Sequence, residues 1–140
     1  MPSTTPGVLY GNGRGVPQDY KTAVKWFRLA ADQGNARAHN NLGYMYDNGQ
    51  GVPQDYKTAV KWYRLAAEQV DADAQTKLSA MYALGKGVIQ DNVYAHMWGN
   101  IAASNGSENG GELRDFVAKQ MTPAQIADAQ RLARECVAKN

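Results

Sequence analysis

The 140 residues predict an all-α protein built as a stack of repeated helix pairs. Three observations carry that expectation. Residues 15–34 and 51–70 are identical at 17 of 20 positions, at an offset of 36. Within each copy the apolar residues recur at helical spacing. Glycine and proline concentrate between the periodic stretches, whereas alanine (21 of 140) falls inside them.

The repeat orders the whole chain. A third, weaker copy spans residues 87–106. Residues 35–50 and 71–86 agree in their Ala, Leu, Met-Tyr and Gly positions, and residues 7–14 align with the tail of that segment. The array thus begins part-way through a unit. The division expected is repeats over 1–106, with a partial unit at 7–14 and full units from 15, 51 and 87, then a capping segment over 107–140. Residues 1–6 (MPSTTP) are expected not to give a helix that continues from Pro6. That leaves a frayed half-repeat or a piece of a longer array. An uncapped first repeat face would also permit a homodimer.

Each element has its own justification. In the first helix of a pair, Tyr56, Ala59, Val60, Tyr63, Ala66 and Ala67 form one apolar face. Asp55 precedes it as N-cap, and Asp19 and Asp91 hold the same position in the other copies. In the second helix Ala38, Leu42, Met45 and Tyr46 form the face, with Asn35 and Asp71 as caps. Gly34 and Gly106 suit the left-handed residue that ends a helix. Paired alanines (30/31, 66/67, 102/103) and Gly43 allow helices to approach closely. Two positions break the pattern. Val70 replaces the terminating glycine, so this helix ends differently or carries strain. Gly99 stands where Phe27 and Tyr63 stand, and the C-terminal helices, Phe116 among them, are expected to fill the space. Those helices are read from Leu113, Phe116 and Val117, then from the capping box Thr122-Pro123-Ala124-Gln125 followed by Ile126, Ala129, Ala133 and Val137. A polar-faced terminal cap is what a repeat stack requires.

Taken together, Leu42-Gly43-x-x-Tyr46, Gly49-x-Gly51-Val52-x-x-Asp55, Ala59, Trp62 and Ala66-Ala67 resemble the Sel-1-like repeats, a branch of the tetratricopeptide-like family. The resemblance covers about residues 7–106. It implies a right-handed α-solenoid and a scaffold or adaptor role, with a protein or peptide partner on the concave face. That face is implied to be lined by the helix bearing Leu-Gly-x-x-Tyr. Its solvent side carries Arg37, Asn40, Asn41, Tyr44, Asp47 and Asn48 in one copy, and Asp73, Thr76, Lys77 and Ala80 in the next. These are the candidate partner-binding residues. Arg and Asn suit carboxylate and peptide-backbone recognition. Some cysteine-rich relatives are described as β-lactamases or penicillin binders. That gives an enzyme alternative, beside a purely structural one in which the chain is a piece of a larger array.

Other chemistry is poorly represented. Net charge is +2, which does not suggest nucleic acid or a polybasic membrane contact. No window approaches the ~20 apolar residues of a membrane span. The single Cys136 excludes intramolecular disulfides and Cys-rich zinc sites, and it is expected to be buried. His39 and His96 lack the spacing of a metal pair and are expected as packing or surface residues. No catalytic residue, metal or cofactor is expected. Gly11-Asn12-Gly13-Arg14-Gly15 precedes a helix, but Asp19 occupies the place an anion would take, so it is expected as a turn. The match of 105–107 to a glycosylation sequon is expected to be accidental. Tyr10, Tyr46 and Tyr82 are expected in the core, and Trp26, Trp62 and Trp98 at its flank. The absence of a leader fits the cytoplasm, and a periplasmic protein after leader removal would read the same.

Overall fold

The computed structural model describes residues 5–13 and 18–138. Among them the elements are α1 (Thr5–Asn12), α2 (Tyr20–Asp32), α3 (Ala36–Asn48), α4 (Tyr56–Glu68), α5 (Ala72–Leu84), α6 (Asn92–Ser104), α7 (Glu108–Ala118) and α8 (Pro123–Ala138), with no strand. They fall into two compact units, Met1–Gln69 with α1 to α4 and Val70–Asn140 with α5 to α8.

Local chemistry sets the helix ends. Asp19, Asp55 and Asp91 take extended backbone, and their carboxylates accept N–H groups of the first turns of α2, α4 and α6. The Thr22 and Thr58 hydroxyls also donate to Asp19 and Asp55, at 2.7 and 2.9 Å. Those hydroxyl bonds, backed by the backbone N–H groups, hold both carboxyls below the usual carboxylate range. Asn35 and Asp71 cap α3 and α5 in the same way. The start departs from expectation. α1 contains Pro6 in its first turn, where the missing N–H has no intrahelical partner to lose. Proline here begins a helix instead of preventing one. The part of the glycine-rich loop at residues 14–17 lies outside the described residues.

In Met1–Gln69 the core is Val24, Phe27, Leu42 and Met45 set among Ala23, Ala30, Ala31 and Ala38. Tyr10, Tyr20, Val52 and Trp62 pack at its edge. Aromatic rings twice lie against a glycine. Phe27 of α2 meets Gly7 of α1, and Tyr63 of α4 meets Gly43 of α3. In both, a Cβ on the glycine would stand 2.5 Å from a ring carbon. Tyr63 is fully buried and its Oη donates to Asp47 Oδ2 at 3.1 Å. Truncating an aromatic buried to this degree costs about 3–5 kcal/mol.

In Val70–Asn140 the same pair of positions holds Ser79 and Gly99. Ser79 is fully buried and its hydroxyl donates to the Ala95 carbonyl of α6 at 2.6 Å. Gly99 leaves no void, because α7 itself occupies the space. A Cβ at Gly99 would stand 2.8 Å from the Gly110 carbonyl oxygen and 3.1 Å from Arg114 Cβ. Phe116, the side chain expected there, is instead 60% exposed. Helix backbone fills the gap that a side chain was expected to fill. Ser107 caps α7, and its Oγ lies 2.6 Å from Thr76 Oγ1 of α5. α8 packs on α6 through a face that buries Ala129 and Ala133. Its start is a capping box, with Thr122 and Gln125 exchanging bonds of 2.9 and 3.1 Å. Cys136, expected to be buried, is only half-buried. Ala substituted at Gly99 should destabilise the fold by about 1–3 kcal/mol, the range for overpacking against groups that cannot move freely. Urea denaturation of Gly99→Ala measures it, and an unchanged midpoint would show that α7 is not held at this contact.

Gly34, Val70 and Gly106 adopt φ of 81°, 66° and 97°. Val70 therefore keeps the glycine geometry and bears the strain, and with 52% exposure it has little packing to offset it. Left-handed backbone costs an L-residue roughly 1–2 kcal/mol. Val70→Gly should raise stability by about 1 kcal/mol, read as a rise in thermal midpoint of a few degrees. A lower midpoint would refute the strain.

Candidate functional site

The candidate surface begins with helix geometry. On α3, Arg37, Asn41, Tyr44 and Asn48 recur at i, i+4, i+7 and i+11, a single stripe. Arg37, Tyr44 and Asn48 are exposed and Asn41 is half-buried. Asn48 Nδ2 donates to the Tyr44 carbonyl at 2.9 Å, which fixes the stripe's C-terminal end. Behind it Arg28 Nη2 donates to Tyr46 Oη at 2.6 Å, and His39 stacks on Trp62 with ring centroids 5.6 Å apart. The stripe thus stands on a helix with a packed back.

Two of the residues expected beside it belong elsewhere. Asn40 is 3% exposed, so it lies in the packed interior and not on a solvent face. Asp47 is half-buried and its carboxylate accepts the Tyr63 hydroxyl. Positions 40 and 47 are seven apart on α3, and at the second of them the helix meets Tyr63 of α4. α5 behaves alike at Thr76, the position equivalent to Asn40. Its Oγ1 bonds the Ala72 carbonyl at 2.9 Å and meets Ser107, so it serves the seat of α7. Asp73 is exposed and Lys77 and Ala80 are half-buried, in the register of Arg37, Asn41 and Tyr44.

Of the tryptophans, Trp26 is 36% exposed, Trp62 is half-buried and Trp98 is 7% exposed. Tyr10, Tyr46 and Tyr82, expected in the core, are all half-buried at its edge. Asn105 Nδ2 donates to Gln75 Oε1 at 3.0 Å, a packing contact for the sequon residue. Among the described residues, no group of three or more His, Cys, Asp or Glu side chains is placed to hold a metal ion. Nor is any described helix long and apolar enough to cross a membrane. A groove of about 310 Å³ runs between α6 and α8, lined by Asn100, Ile101, Ser104, Ala133, Arg134 and Val137.

Comparison with known proteins gives the family context. The Sel1 repeat model matches residues 7–35, 36–71 and 72–107. The crystal structure of c5321, a protective antigen of uropathogenic Escherichia coli displaying an SLR fold, is 45% identical with a TM-score of 0.73. That match covers 74% of this chain and only 22% of c5321, so the chain spans about a fifth of that protein's length. A Sel1 repeat protein from Oxalobacter formigenes is 36% identical over 80% of this chain and 84% of its own, with a TM-score of 0.72. Helicobacter pylori cysteine rich protein B is 25% identical over 69% and 73%, with a TM-score of 0.65. No curated protein sequence matches.

The second buried histidine is a core defect with a pH signature. His96 stands where Val24 and Val60 stand, is 4% exposed, and its Nδ1 makes no hydrogen bond. Burial, aided by the Arg114 charge and opposed by Asp115, holds its pKa below the usual 6.5. The unfolded chain therefore binds the proton first as pH falls. The stability associated with neutral His96 is present above about 6.5 and is lost below it as pH falls through the folded value. His96→Val should flatten that acid-side slope. It should also raise stability at neutral pH, since an unpaired buried polar atom costs about 1–3 kcal/mol. Urea midpoints measured across this pH range check both effects, and a slope unchanged by the substitution would assign the acid loss to other groups.

Proposed function

Because the chain belongs to the Sel1 repeat family, whose repeats are generally protein-interaction modules and non-enzymatic scaffolds, we propose that the exposed stripe of α3 binds a peptide or partner protein. The residues are Arg37, Asn41, Tyr44 and Asn48. One observation carries the proposal. Between the two copies of this helix the cap and the apolar core side chains persist in type, Asn35 with Asp71, Ala38 with Ala74, Leu42 with Leu78 and Met45 with Met81, while the buried His39, Asn40 and Gly43 become Gln75, Thr76 and Ser79. The stripe positions all change, to Asp73, Lys77, Ala80 and Leu84. Packing fixes the first set, while the second is free to be shaped by a ligand.

The chemistry of the stripe suits an extended peptide. Arg37 offers a fork for a carboxylate or carbonyl, Asn41 and Asn48 supply both donors and acceptors, and Tyr44 adds an amphipathic anchor that is 43% exposed. Asp73 and Lys77 on α5 give the second copy of the surface a different charge pattern. Asn40 and Thr76 act in this reading as supports.

Peptides selected by display on the immobilised chain provide a probe. Arg37→Ala and Tyr44→Ala should each weaken a selected peptide about tenfold without lowering the thermal midpoint, as truncating an interface anchor does. Asn40→Ala should lower the midpoint instead. Selected peptides that bind both stripe variants at full strength would place the ligand on another face.

A further inference from the structure

A second surface is defined by a charge pattern that stays exposed and recurs from helix to helix. On α4, Lys57, Lys61, Arg64, Leu65 and Glu68 occupy i, i+4, i+7, i+8 and i+11, one helix face, and all five are exposed. α2 repeats the pattern 36 residues earlier, with every position again exposed and Leu29 at 50%. In letters the row is K-x-x-x-K-x-x-R-L-x-x-[D/E]. In Val70–Asn140, α7 and its cap residue Lys119 carry the row E-x-x-x-E-x-x-D-F-x-x-K, from Glu108 to Lys119, and each of its named positions is exposed. The spacing is identical and the sign is inverted at every charged position. The apolar position coincides, with Phe116 at 60% exposure matching Leu29 and Leu65.

The fold explains why both rows remain open. α7 buries its opposite side, Gly110 and Val117, so the acidic row points to solvent. The equivalent row on α6 reads Val93, Met97, Asn100, Ile101 and Ser104, without a charge. Its Met97 and Ile101 are 6% and 4% exposed, in the helix on which α7 and α8 pack. The row is neutral where helices of the same unit cover it and charged where they do not.

We propose that α7 of one copy docks on the basic row of α2 or α4 of a second copy, parallel and in register, with Phe116 against Leu29 or Leu65. Arg28 already donates to Tyr46, and Asp115 pairs with Arg114 at 3.0 Å. Exposed ion pairs of this kind are individually weak. The association is therefore reversible and sensitive to salt. It joins two different surfaces and is therefore heterologous, the class of contact that gives a ring where its rotation closes and an open filament where it does not.

Sedimentation velocity on the full chain tests this. At low salt the sedimentation coefficient should rise with protein concentration, and near 1 M salt, where screening acts within about 3 Å, the rise should vanish. The double variant Lys25→Glu, Lys61→Glu and the single variant Glu112→Lys should each associate roughly tenfold more weakly than the parent, as like charges face one another. Mixed in equal amounts, the two variants should associate again, because each reversed row meets its complement. A parent that stays monomeric at millimolar concentration, association that survives either reversal, or a mixture that stays monomeric with both variants folded by circular dichroism would overturn the proposal.

Discussion

A ring pressed onto a glycine backbone sets how closely two helices of this protein approach, and most other features follow from that distance. With no Cβ at Gly43, the Tyr63 ring reaches the α3 backbone and becomes fully buried. Its hydroxyl then falls within reach of Asp47, so the polar end of a buried side chain is satisfied. Gly7 and Phe27 repeat the arrangement without a hydroxyl. The alanines beside these rings are the corollary. Helices held this close have room for little more than a methyl group at their crossing, which is why Ala23, Ala30, Ala59 and Ala66 are completely buried.

That contact is lost inside the third repeat, residues 72–107. Ser79 and Gly99 remove the ring and reverse the asymmetry of the pair, placing the small residue on α6. The exposed backbone at Gly99 then accepts another helix. Gly110 meets it, and Ser107 locks the entry of α7 to Thr76. The substituted ring position thus makes room for α7, and the charge pattern follows the same logic. A helix face that is to be covered cannot keep three basic side chains without partners, and α6 has none of them.

How far this was visible in the sequence depended on whether the deciding interaction was local. Caps, helix periods and left-handed terminators act within four residues, and Asp19, Asn35, Asp55, Asp71, Asp91 and Gly34 all stand where their sequence context puts them. Val70 was visible as an anomaly, but whether it bent the chain or bore strain depended on the turn around it. Errors arose where a neighbouring helix decided. Asn40 and Thr76 look like members of an exposed polar stripe, because residues three and four apart share a face. Only the packing of neighbouring helices, as with α7 at Thr76, separates the flank from the crest. Size alone points to Phe116 for the gap at Gly99, whereas helix packing at this glycine uses the backbone of α7. Pro6 looks like a breaker in sequence, although in a first turn it removes no intrahelical hydrogen bond.

The repeats therefore separate two kinds of exposed position by how they vary along the chain. The stripe on α3 and its counterpart on α5 change at every position while the caps and the apolar core side chains beneath them persist. The row on α2 and α4 is nearly the same in both copies and disappears only where α6 is covered. A surface repeated with the period of the fold presents the same chemistry at regular intervals, which suits a partner that is itself one helix with a single matching register. α7 has that register with the opposite sign. A peptide ligand and a second copy of the chain would thus occupy different helices of each pair, and neither needs to displace the other.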